Sequence, residues 1–202
     1  MALTQLDLNT ALIVVDLQKG IVGASLLHPI GEVIARASAL AERFRALRLP
    51  VVLVNVAGTA PGRTERPPRL TAPFPADWAD LIPELNRQPH DIVVTKRTWG
   101  AFASTDLETR LKARDVTQVV VAGVATGTGV ESTARQAYEQ GFNVTLAVAY
   151  EQGFNVTLAV DAMTDTRPEA HQYSLTHVFP RLGETGTSAD IIRLLDARTP
   201  LT

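Results

Sequence analysis

Two ionisable side chains stand directly behind apolar, β-branched runs. Asp16 follows Leu12-Ile13-Val14-Val15, and Lys96 follows Ile92-Val93-Val94-Thr95. A carboxylate and an ammonium brought together at the ends of buried strands fix each other's charge state and can drive proton transfer. The same two residues would serve equally well as a structural ion pair at a sheet edge. A third segment, Gly123-Val124-Ala125-Thr126-Gly127-Thr128-Gly129, follows the apolar run that ends at Ala122. Its small residues let the chain turn sharply from strand to helix with backbone N–H groups facing a cleft. Such donors hold an anion or a developing oxyanion, although close packing of a βα turn asks for the same small residues. No Lys-Ser/Thr pair follows the glycines, so this is not a Walker loop, and the Rossmann fingerprint is not matched.

The composition removes several chemistries. The 202 residues include no cysteine, which excludes disulfides, thiolate metal sites and a cysteine nucleophile together. The four histidines, His28, His90, His171 and His177, show no metal-ligand spacing. The nearest two, His171 and His177, are too far apart to share a helical face well. Neither a metal nor a cofactor is expected. A net charge of −2 offers no pull toward nucleic acid or an anionic membrane,. No apolar run reaches the ~20 residues of a bilayer span. The first residues lack a basic region followed by an apolar stretch, so no signal peptide is read and a cytoplasmic location is expected. The partner that remains is a small-molecule substrate.

Positioning these residues is the work of alternating strands and helices. Strands are predicted at 12–15, 51–56, 91–96, 118–123 and 155–160, and a sixth strand or edge at Phe179 to Leu182. Gly31 to Leu49 carries Val33, Ile34, Ala37, Leu40, Ala41, Phe44 and Leu47 as one apolar stripe, ended by Pro50,. Further helices are predicted at 107–114 (capped by Ser104 or Thr105), 129–140, 168–178 and from Ser188 as cap through Leu195. Residues 57–90 hold most of the prolines and form a long excursion with one short helix near Asp77 to Leu85,. Strand–helix alternation implies parallel strands with right-handed crossovers. The fold class is therefore α/β: a three-layer α/β/α single domain over 1–202, with a mostly parallel sheet of about six strands. In such sheets the site lies at the carboxyl ends of strands, here just after Val15, Thr95, Gly123 and Val160.

The same residues carry a family resemblance. Ala11-Leu12-Ile13-Val14-Val15-Asp16-Leu17-Gln18-Lys19-Gly20 resembles the opening motif of isochorismatase-like hydrolases. Thr95-Lys96-Arg97-Thr98-Trp99-Gly100-Ala101-Phe102 resembles their lysine segment. Gly123-Val124-Ala125-Thr126 through Glu131-Ser132-Thr133-Ala134-Arg135 resembles their nucleophile segment, and Asp161-Ala162-Met163-Thr164-Asp165 the segment after the next strand. The resemblance implies that Asp16, Lys96 and the turn converge in one cleft, with a cis peptide at Val124-Ala125. It places Gly129 where many members carry the cysteine, so no covalent intermediate can form there. True isochorismatases share this glycine and hydrolyse a vinyl ether. By that resemblance Asp16 is the general acid/base and Lys96 its electrostatic partner. Gln18 positions water or substrate, Val124, Ala125 and Thr128 line the oxyanion turn, and Trp99 and Phe102 are candidates for an apolar wall. Ordinary core packing is the competing reading of the two aromatics, and the favoured one for Phe102. The alternatives to a hydrolase are a catalytically inactive binding or scaffold member, and an engineered or evolved variant whose altered sequence changes structure or assembly. A homodimer or higher homo-oligomer is expected.

That last alternative arises because Ala137–Val148 is repeated without change as Ala149–Val160. An exact tandem copy of twelve residues is not a diverged fold repeat,. The fold has one slot for helix end, glycine turn and strand. In the favoured arrangement the first copy extends the helix by about 18 Å, Gly153 ends it, and the second copy supplies the strand. In the other, the first copy is the strand and the second loops out. Either way the insertion enters at the bottom of the sheet, and Asp16, Lys96 and the Gly123 turn are expected to stay in place. Exposed Phe142, Val144, Leu146 and Val148 would then be free to alter assembly.

Overall fold

The computed structural model describes residues 3–60, 62–65, 73–140 and 155–198. Six parallel strands form one sheet: β1 (Thr10–Val15), β2 (Val51–Val56), β3 (Ile92–Lys96), β4 (Gln118–Val124), β5 (Asn155–Thr164) and β6 (Glu184–Gly186). They run in the order β3-β2-β1-β4-β5-β6. The helices are α1 (Lys19–Val22), α2 (Ile30–Ala46), α3 (Leu107–Lys112), α4 (Glu131–Glu139), α5 (Pro168–Tyr173), α6 (Phe179–Leu182) and α7 (Ser188–Asp196). Strand β1 is buried throughout because both sheet faces are covered,. Successive side chains point to opposite faces, so Ala11, Ile13 and Val15 join Leu107, Leu111, Ala134 and Phe179 in one core. Leu12 and Val14 join Leu40 and Phe44 of α2 and Ile191 and Leu195 of α7 in the other. The three layers expected from the sequence are present. Among the described residues no helix is long and apolar enough to cross a membrane.

Three local expectations are corrected. Phe179 to Leu182 is helix α6, not a strand; the sixth strand is Glu184–Gly186. Pro180 fits a first helical turn,, and Phe179 and Leu182, three apart, are both buried from it,. The cap of α7 is Thr187, not Ser188: Thr187 and Asp190 form a capping box,, while Ser188 Oγ donates to Asp161 Oδ2 at 2.7 Å. Among its described residues, the proline-rich excursion holds a 3-10 turn at Pro83–Leu85 in place of the expected short helix near Asp77 to Leu85. It straps onto the end of β1 through Lys19 N–H to the Asp80 carbonyl (2.9 Å) and Ile82 N–H to the Leu17 carbonyl (3.2 Å).

Of the repeat, Ala137 to Glu139 close α4, and the second copy supplies β5 from Asn155 onward. Only the second copy runs without interruption into Asp161–Thr164, which the same strand includes. Its register pairs Gln118–Val121 with Asn155–Leu158. The expected helix extension, and Phe142, Val144, Leu146 and Val148, lie outside the described residues.

Candidate active site

Strand β1 lies between β2 and β4, so the strand order reverses at its carboxyl end. Crevices in parallel sheets form at such switch points. Asp16 is the first residue past β1 and turns the chain out of the sheet at φ 53°, while its N–H still donates to the Val54 carbonyl at 2.9 Å. A positive φ is uncommon outside glycine, and Asn and Asp tolerate it best. Lys96 ends β3, one strand further out than β2. Its long side chain spans β2, and Nζ donates to Asp16 Oδ2 at 2.7 Å and to the Thr98 carbonyl at 3.3 Å. Both side chains are buried. Asp16 Oδ1 is buried with no hydrogen-bond partner. Burial pushes the Asp16 carboxyl up to about 6, with the Lys96 ammonium opposing the rise,.

On the other side of β1, Gly123 has φ 116°. A Cβ there would overlap the Val15 backbone in the neighbouring strand. The expected outcome for Gly123→Ala is therefore a loss of about 3 kcal/mol or more, from left-handed strain plus backbone overlap. The midpoint of urea unfolding checks it; an unchanged midpoint would show that the two strands separate freely at this point.

The Val124-Ala125 peptide is cis, as the resemblance implies. A π-helical turn, Thr126–Val130, then leads into α4. The turn's donors are not all free for an oxyanion. Thr128 N–H and Val130 N–H both donate to the Ala125 carbonyl, at 3.0 and 3.1 Å, and Gly127 N–H donates to Asp165 Oδ2 at 2.8 Å. Thr128 N–H is thus engaged within the turn. Position 129 faces the pair. A Cβ at Gly129 would lie 3.1 Å from the Val124 carbonyl oxygen and 3.2 Å from Asp16 Oδ2.

These groups line a cleft of about 380 Å³. Asp16, Lys96, Trp99, Val124, Ala125, Thr128 and Gly129 all border it, while Gln18 and Phe102 do not. Gln18 is fully buried. Its Nε2 donates to the carbonyls of Val56 and Trp78, both at 3.0 Å, and its Oε1 accepts Val56 N–H at 2.7 Å. The amide ties β2 and the excursion to β1, with both of its N–H donors engaged. Phe102 is 4% exposed and belongs to the core beside α3 and α4. Trp99 is 66% exposed at the mouth. The sequence reading missed Gly20, Ile21, Ala24 and Leu26, and also Val56, Gly58 and Thr59. The latter three follow from the rule already applied to other strands, since β2 also ends at this edge.

Comparison with known proteins agrees with this geometry. An isochorismatase domain profile matches residues 10–149, ending one residue past the first copy of the repeat. The uncharacterised isochorismatase family protein YwoC of Bacillus subtilis is 38% identical over 190 residues, covering 91% of this chain and 93% of its own length. The structure of an isochorismatase family protein from Burkholderia thailandensis superposes with a TM-score of 0.85 at 38% identity, over 96% of this chain and 98% of its own. The ureidoacrylate amidohydrolase RutB of Methylorubrum extorquens is 37% identical over 94 residues, covering 46% of this chain and 38% of its own length. A paired carboxylate and ammonium at the switch point, a cis turn beside them, and this likeness along nearly the whole chain make the protein a member of the isochorismatase family of hydrolases.

Proposed function

We propose that the protein hydrolyses a small molecule without a covalent intermediate, using Asp16 as the proton-transfer group and Lys96 to fix its charge and direction. The observation that carries this is the buried Asp16–Lys96 pair at 2.7 Å in a cleft where the facing position is glycine. With no side chain at 129, the position facing the pair supplies no nucleophile, and the attacking group in this reading is water,. A carboxyl that titrates near 6 is suited to hand over a proton close to neutrality,.

Vinyl-ether hydrolysis fits these parts. Asp16 protonates the terminal carbon of the C=C–O unit, giving an oxocarbenium ion. Water adds to that cation, and the resulting hemiketal breaks down to a ketone and an alcohol. The net reaction consumes one water and returns the proton to Asp16. The walls Ile21, Leu26, Val56 and Trp99 supply the apolar surroundings that keep the acid protonated,. While Asp16 is neutral, the Lys96 ammonium has no counter-charge, which favours a substrate bearing a carboxylate near it.

The test is turnover of isochorismate, an enolpyruvyl ether, in D₂O with the product read by NMR. Carbon protonation places one deuterium in the methyl group of the pyruvate released. Turnover without carbon-bound deuterium, or no turnover of vinyl ethers alongside hydrolysis of amides, overturns this reaction. The partial likeness to RutB supports one other reading. There, ionised Asp16 acts as base toward water attacking an amide, and activity rises above pH 6 instead of falling.

A further inference from the structure

Two histidines that the chemistry above does not use meet behind the π-helical turn. His171 of α5 is 5% exposed, and its Nδ1 shares a 2.8 Å hydrogen bond with Thr126 Oγ1, in the first residue of the turn. Thr126 is fully buried. His28, in the segment between α1 and α2, holds the end of β5. Its N–H donates to Thr164 Oγ1 at 3.1 Å, and its Nδ1 lies 3.2 Å from the same oxygen. The two rings meet edge to face with centroids 4.9 Å apart. Asp165, next after Thr164, accepts Gly127 N–H through Oδ2 and Arg167 N–H through Oδ1. A continuous path therefore runs from Thr126 through His171, His28 and Thr164 to Asp165 and back to Gly127. It closes around the turn that bears Thr128 and Gly129.

We propose that His28 and His171 form a paired-imidazole latch whose neutral state holds the ends of β4 and β5 together and orients the turn bordering the cleft. They are positioning residues, and the proposal does not depend on which reaction the cleft performs. The hydrogen bonding explains why neutrality matters. Thr164 Oγ1 already accepts a backbone N–H, so its own hydrogen is best placed on an unprotonated His28 Nδ1. Protonating that nitrogen would leave the buried hydroxyl hydrogen without its acceptor. At 4.9 Å, one charged ring also disfavours charge on the other,. Burial and the neighbouring His28 both hold His171 below the usual imidazole range, and the Asp165 carboxylate opposes them,.

The charged groups around the pair are known. Asp165 lies at the end of β5, and the Arg167 guanidinium is 3.9 Å from its Oδ1. Glu131 of α4 is turned to Ser174 and Arg135. Asp16 and Lys96 are paired with each other at the cleft. Asp16, lifted to about 6, titrates inside the pH range of the test, which must therefore separate it from the histidines.

The experiment is backbone amide hydrogen exchange at residues 126–130, corrected for intrinsic rate, between pH 7.5 and 5. It is run on wild type, His171→Asn, His28→Asn and Asp16→Asn. Asn keeps a polar atom near the Nδ1 position without titrating. Wild type is expected to exchange about tenfold faster at pH 5. His171→Asn is expected to keep near-native protection at pH 7.5 and to lose the dependence, as is His28→Asn, while Asp16→Asn retains it. Histidine ring resonances of the wild type give a second readout, with the His171 ring titrating below the usual imidazole range. The proposal is overturned if wild-type exchange is independent of pH, if the dependence survives in both Asn variants, if it vanishes in Asp16→Asn, or if the His171 ring titrates at an unperturbed value.

Discussion

Asp16→Asn is expected to lower kcat/KM by about 10³ while leaving the fold intact, in the range that loss of a general acid or base produces. The substitution is unusually clean here. Asp16 sits at φ 53°, and Asn accepts the left-handed region about as well as Asp does. The amide keeps an oxygen where Lys96 Nζ now donates at 2.7 Å. What it loses is the transferable proton. Asp16→Ala would confound the result, because alanine at that φ adds strain of its own. The wild-type pH profile adds a second arm. A break near pH 6 belongs to Asp16, since burial lifts its carboxyl to about that value. An acid role makes activity fall above the break, and a base role makes it rise. In Asp16→Asn the break should vanish with a native circular dichroism spectrum, while Tm falls because the buried Lys96 ammonium loses its counter-charge,. Residual turnover within tenfold of wild type would remove Asp16 from the chemistry.

The residues readable in the sequence share one property: each is marked by its immediate neighbours. Asp16 and Lys96 stand at the ends of apolar runs, and the parallel-sheet rule alone sends both to one edge. The glycine turn after β4 is likewise a local pattern. Where the sequence is silent, the deciding partner is distant in the chain. Gln18 resembles a substrate-binding side chain because it lies beside Asp16, yet its amide is consumed by Val56 and Trp78, 38 and 60 positions away. His171 has His177 as its nearest histidine in sequence, although its ring partner is His28. Trp99 and Phe102 look like a pair, but the segment is not helical, so three-residue spacing gives no shared face. One goes to the mouth of the cleft and the other to the core. For α7, a Thr-x-x-Asp capping box was present at Thr187 and Asp190, and the neighbouring serine drew the assignment instead.

Lys96→Met should show how much of the stability depends on the charge balance at the cleft. Methionine keeps a long unbranched stem in the space that Lys96 fills across β2, so packing changes little. What disappears is the cation opposite a carboxylate whose other oxygen already has no partner. At pH 8 Asp16 is then a buried, uncompensated charge, and the expected loss is about 3–5 kcal/mol. The sign of the pH dependence follows from the raised carboxyl. A group lifted from 3.8 to about 6 by folding favours the folded state fully below pH 3.8, and that contribution is lost as pH rises through 6,. The span corresponds to about 3 kcal/mol. Lys96 is the influence that lowers the Asp16 value, so its removal moves the folded-state value higher and extends the loss toward alkaline pH. At pH 5 the carboxyl is neutral in the variant, and the deficit should shrink to about 1–2 kcal/mol, the cost of one missing hydrogen bond. Urea unfolding of wild type and Lys96→Met at pH 5 and pH 8 measures both differences. Equal deficits at the two values would mean that Lys96 stabilises the protein by packing alone, and that the carboxylate it touches is neutral throughout.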